Sequence, residues 1–138
     1  MPATFESYGI KFLYPDNWTV LDRDDDDSGS TLELPSGGFL SIDQVDASRD
    51  ADSFIDEVAD TLKSEYDELE REWVDLQGAG EHETAADMRF YYLDLVIVAR
   101  VIVMPTESGP LLIQFQAESR DFDANEKVLD AILLQIRK

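Results

Sequence analysis

The chain has 138 residues, 43% of them hydrophobic and 10% aromatic, enough apolar surface to bury a core and too much for a disordered chain. Its 31 acidic and 11 basic residues give a formal net charge of -20, a field that repels nucleic-acid phosphates and anionic membranes and attracts cations or basic proteins. The absence of cysteine excludes disulfides, thiolate metal sites and cysteine nucleophiles.

The opening MPATFESYGI carries no basic segment followed by an apolar run, and no stretch is long and charge-free enough to span a membrane. The expectation is one cytoplasmic domain over 1–138. Tyr8, Ile10, Phe12 and Tyr14 alternate along a half-buried strand. Pro15 cannot donate to a ladder and Asp16 and Asn17 form turns, so the chain bends there before Trp18 opens a second strand through Val20. After the acidic run DRDDDDSGS, the segments TLELP and FLSIDQV read as two strands joined by Ser36-Gly37-Gly38.

From residue 52 to 72 the period changes. Phe54, Ile55, Val58, Ala59, Leu62, Tyr66 and Leu69 recur every three or four positions, which predicts an amphipathic helix with Asp50, Asp52 and Ser53 at its start. Trp73, Val74 and Leu76 continue as a strand to the break at Gly78-Ala79-Gly80. AADMRFYYL, DLVIVARVIVMP and GPLLIQFQAES then read as a three-stranded antiparallel meander. Its middle strand is apolar on both sides except at Arg100, so it should lie centrally and be covered above and below. A closing helix starts with Asp123 and Glu126 in a capping-box spacing and buries Val128, Leu129, Ile132, Leu133 and Ile136.

The order of these elements, with GIKFLYPDNW at the front, resembles the PsbP-like superfamily, which includes the photosystem oxygen-evolving accessory protein, a Ran-binding nuclear import factor and small bacterial proteins of unassigned function. The residues that carry the resemblance are Tyr14, Pro15 and Trp18 of a structural corner. It implies an α+β fold, an antiparallel sheet sandwiched between helices, and roles in binding and assembly more often than catalysis. Some bacterial relatives act as chaperones for secreted proteins, which makes an adaptor of that kind an alternative.

Two constellations are candidate sites. In the loop Asp22 to Gly29, residues Asp24, Asp26, Ser28 and Gly29 match the first positions of a calcium-binding loop, where oxygen ligands alternate before a glycine turn. The twelfth position is Pro35 and not a bidentate glutamate, so a weak divalent-cation site is the most this loop offers, and no other cofactor is expected. In the meander, a two-residue turn at Leu93-Asp94 sets Asp87 opposite Arg100, about 5 Å apart at Cβ. A register aligning Val101 with Ile113 or Phe115 then puts Asp87, Arg89, Tyr91, Arg100, Gln114 and Gln116 on one face. Such a face reads as a polar pocket for a carboxylate or peptide, or as the neutralisation of a half-buried arginine.

The only histidine, His82, stands between Glu81 and Glu83 and lacks further ligands at metal spacing. No G-x-S-x-G, H-E-x-x-H or glycine-rich phosphate loop occurs, and no residue is assigned a catalytic role. The sequence therefore predicts a non-enzymatic binding or assembly factor whose acidic surface recognises a basic protein, with no nucleic acid and no membrane as partner.

Overall fold

The computed structural model describes residues 2–21, 29–66 and 68–137. The chain opens with two strands, β1 (Pro2–Ser7) and β2 (Ile10–Pro15), that pair only with each other as an antiparallel ribbon. Seven further strands follow: β3 (Thr19–Leu21), β4 (Gly29–Glu33), β5 (Phe39–Gln44), β6 (Glu70–Val74), β7 (Thr84–Tyr92), β8 (Leu95–Met104) and β9 (Leu111–Glu118). They form one antiparallel sheet in the order β3-β4-β5-β9-β8-β7-β6. Helix α1 (Ala51–Glu65) lies on one face and α2 (Ser119–Ile136) on the other.

The placement of β8 follows from its side chains. Residues 98–104 are buried without interruption, because α1 packs on β7 and β8 from one side and α2 on β8 and β9 from the other. On the α1 side Phe54, Ile55, Ala59 and Leu62 meet Met88, Phe90, Ala99 and Val101. On the α2 side Phe122, Leu129, Ile132 and Leu133 meet Ile102, Ile113 and Phe115. The first ribbon completes that second layer: Phe5, Ile10 and Phe12 are buried in the same cluster, with Phe5 stacked on Phe12 at 4.8 Å between ring centroids. Gln135 of α2 accepts from the Leu13 amide at 2.8 Å and donates to the Leu13 carbonyl at 3.3 Å, so one side-chain amide ties β2 to the helix.

The corner after β2 explains the abrupt stop at Pro15. The Trp18 amide donates to the Pro15 carbonyl at 3.1 Å, and the indole turns inward to lie stacked 6.2 Å from Phe115. Trp18 thereby fastens the turn to the sheet by burying a large ring.

Two local expectations are corrected and one segment is added. Residues 2–7, unassigned in the sequence reading, form β1. Helix α1 ends at Glu65, not near 72, because Tyr66 is extended and residues 70–74 join the sheet edge. Helix α2 begins at Ser119, four residues before Asp123: Glu118 is its N-cap, with its carboxylate accepting from the Arg120 amide. Asp50 caps α1 by position without a side-chain hydrogen bond.

The Glu118 cap has a pH signature. Its bond from the Arg120 backbone, then that from the Arg120 side chain, hold its carboxyl below the ordinary carboxylate range. A depressed folded pKa contributes stability above the unfolded value, about 4.3, and loses it as pH falls through the folded one. Glu118→Gln is therefore expected to lower the melting temperature at pH 7 by more than at pH 3, as thermal unfolding at the two pH values will show. At the β4–β5 turn, a Cβ on Gly38 would lie 2.8 Å from the Gln116 carbonyl and 2.9 Å from the Ala117 side chain. Gly38→Ala should lower stability in urea unfolding by about 1–3 kcal/mol, the usual cost of overpacking.

Candidate functional site

The meander turn forms as the sequence predicts. Leu93 and Asp94 both take positive φ, 50° and 66°, and the two-residue connection sets Asp87 directly opposite Arg100. The pair is buried on the α2 face. Arg100 Nε donates to Asp87 Oδ1 at 2.8 Å and Nη2 to Oδ2 at 3.0 Å, a bidentate fork. Nη1 donates to Glu126 of α2 at 3.0 Å, and the guanidinium carbon lies 5.1 Å from the centre of the Phe122 ring. Burial alone would push the Arg100 pKa down; the hydrogen bonds and charges of Asp87 and Glu126 outweigh it and hold the guanidinium above its ordinary value.

The other four predicted residues do not join this pair. Strands β8 and β9 align Arg100 with Phe115 and Val101 with Gln114, so the expected register of Val101 is off by one. Gln114 and Gln116 therefore point to the α1 side, where Gln114 Nε2 donates to Gln116 Oε1 at 2.9 Å. The reason is that β8 is apolar on both faces, so matching apolar residues cannot fix its register. What decides it is β9, whose Ile113 and Phe115 belong under α2 while its glutamines lie over the half of the α1 face that the helix leaves uncovered. Arg89 and Tyr91 share the Asp87 side of β7 but are exposed, Arg89 reaching Glu72 on β6 at 3.7 Å.

Glu126, assigned to a cap in the sequence reading, is the third member of the cluster. Because α2 starts at Ser119, Phe122, Glu126, Leu129 and Leu133 form one stripe toward the sheet; a charged residue within that stripe is the signal that could have found it. A second buried ion pair was also missed: Arg137 at the end of α2 forks onto Glu83 at 2.7 and 2.9 Å and donates to the Gln77 carbonyl at 3.3 Å. Neighbouring His82 stays exposed on the rim of a cleft of about 220 Å³ with Gly78, Gly80 and Arg137. Among the described residues no group of three or more His, Cys, Asp or Glu is placed to hold a metal. The candidate cation ligands Asp24, Asp26 and Ser28 lie outside the described residues.

Within the described residues, no buried side-chain nitrogen or oxygen lacks a hydrogen-bond partner. Each guanidinium nitrogen of Arg100 is engaged by the fold itself, so this cluster acts as an internal clamp between β7, β8 and α2. Arg100→Met should destabilise by about 3–5 kcal/mol in urea unfolding, because it leaves Asp87 buried without a counter-charge; adding Asp87→Leu should restore most of that loss.

These features define a PsbP-like α+β fold. The solution structure of cyanobacterial PsbP (CyanoP) from Synechocystis sp. PCC 6803 matches with a TM-score of 0.61 at 12% identity, covering 98% of this chain and 89% of that one. A crystal structure of a protein of unknown function from Pseudomonas aeruginosa matches at a TM-score of 0.50 and 16% identity, over 94% and 91% of the two chains. No family model and no curated protein matches the sequence. At such identities the likeness carries the architecture and no site residue.

Proposed function

We propose that this protein is a non-enzymatic binding or assembly factor that recognises a basic protein partner through its acidic surface. The observation that carries the reading is the net charge of -20 on a chain whose buried cations are already consumed by internal ion pairs. The surface field is left to act outward, and it favours cationic partners over phosphate backbones. The cyanobacterial neighbour shares the PsbP-like fold, and neither a role nor a residue is transferred from that protein.

Capture from a host extract at low salt, followed by association kinetics on the captured protein, tests the reading. The partner should have a basic isoelectric point, and its association rate should fall at least tenfold between about 50 and 500 mM salt as the field is screened. Salt-independent association would remove the electrostatic part of the proposal. A second reading, a divalent-cation accessory domain, rests on Asp24, Asp26 and Ser28. Calcium calorimetry on the wild type and on the Asp24→Ala, Asp26→Ala double variant decides it, flat titrations for both excluding the site.

A further inference from the structure

Three of the nine large hydrophobic residues exposed among the described residues fall within four positions at the β7–β8 turn: Tyr92 (51%), Leu93 (78%) and Leu95 (42%), while the neighbouring Tyr91 lies on the other side of the strand. Turn chemistry does not ask for them. A two-residue hairpin with positive φ at both positions favours Asn-Gly, and a leucine there is strained as well as exposed. The tip is continuous with a cleft of about 270 Å³ on the α1 face, with Tyr92 in both. Tyr66, the extended residue that ends α1, lies stacked on Phe90 at 4.5 Å and edge-on to Tyr92 at 5.7 Å; Phe39, Ile97 and Gln116 complete the walls.

The rim carries negative charge. Glu118 lines the cleft, Asp94 is exposed in the turn, and Glu65 and Glu68, both exposed, flank the wall residue Tyr66 in the chain. Two bases stand near: Lys63 in the last turn of α1, and Arg120, which is paired to Glu118. An aromatic cleft edged with carboxylates suits a cation lying over ring faces, and an apolar tip beside it suits an aliphatic or aromatic anchor.

We propose that this corner, formed by the Tyr92 to Leu95 tip and the Tyr66–Phe90–Tyr92 cleft, is where a partner protein docks, through an exposed segment bearing Arg or Lys next to a large apolar side chain. The inference rests on the reading that the partner is basic, and it names the surface that reading leaves open. The acidic charge of the rim and of the whole molecule selects this occupant over a lipid surface and over a second copy.

A phage-displayed library of twelve-residue peptides, selected at low salt on wild type, on a Leu93→Asn, Asp94→Gly double variant and on Tyr92→Ser, is the test. The double variant installs the favoured turn, so its melting temperature should rise by a few degrees while the apolar tip is removed. Wild type should enrich peptides with Arg or Lys beside an aliphatic or aromatic residue, and fluorescence anisotropy should show at least tenfold weaker binding to both variants. Basic peptides that bind the double variant and Tyr92→Ser as tightly as wild type would overturn the corner and leave the basic-partner reading standing. Enriched peptides without an excess of Arg and Lys would overturn that reading, and the proposal built on it. Leu93-dependent sedimentation with neutral phosphatidylcholine vesicles, or a Leu93-dependent dimer in light scattering, would overturn the assignment of the occupant.

Discussion

A strand with apolar side chains on both faces has to be covered twice, and β8 imposes that demand on the rest of the molecule. Seven consecutive buried residues leave no side open to water, so α1 and α2 must settle on opposite faces of the sheet. Arg100 interrupts the run, and its charge determines much of what surrounds it. Without Asp87 opposite and Glu126 above, the guanidinium would stand desolvated and unpaired, which is far costlier than the pair itself is favourable. The cluster thus fixes how β7, β8 and α2 meet, and it uses up Asp87 and Arg100, the two charged groups at the centre of the polar face expected for a ligand.

The two faces of the sheet are covered unequally. The α2 layer is continuous, helix beside ribbon, and Leu32, Leu40 and Ile42 from the far strands and Leu34 from the turn between them are buried beneath it together with Trp18. The α1 layer spans only β7 and β8 among its main contacts, and on β4, β5 and β9 several side chains facing that way are polar and half-exposed, Thr31, Ser41, Gln114 and Gln116, beside the half-buried Phe39. The cleft at the end of α1 is the boundary between the covered and the uncovered half.

Most of the architecture was legible in the sequence because it rests on periodicity. The change from period two to period three or four marks α1, the doubly apolar run marks β8, and the Leu93-Asp94 turn was readable from the strands around it. What stayed hidden depends on choices that periodicity does not encode. The start of α2 turns on a side-chain cap by Glu118 against a more conventional Asp123-Glu126 spacing, and that shift alone moves Glu126 from the helix start to the ion pair with Arg100. The pairing of β8 with β9 was ambiguous by one residue because both alignments bury apolar side chains, which is why Gln114 and Gln116 were assigned to the wrong face. Glu83 and Arg137, 54 residues apart, give no local sign of meeting. The cleft around Tyr66 escaped for a related reason: its aromatics read as ordinary core stripe, and only the early end of the helix brings that ring to the surface.

The strand order has a temporal consequence. Strands β3, β4 and β5 are neighbours in the chain as well as in space, and so are β6, β7 and β8, but the two groups touch through β9 alone. A nascent chain can lay down two partial sheets, each with an unsatisfied border on β5 or β8, and holds them without a seam until residues 111–118 are synthesised. Insertion of that one segment closes both borders together, so cooperativity between the halves waits on β9 and arises in a single step.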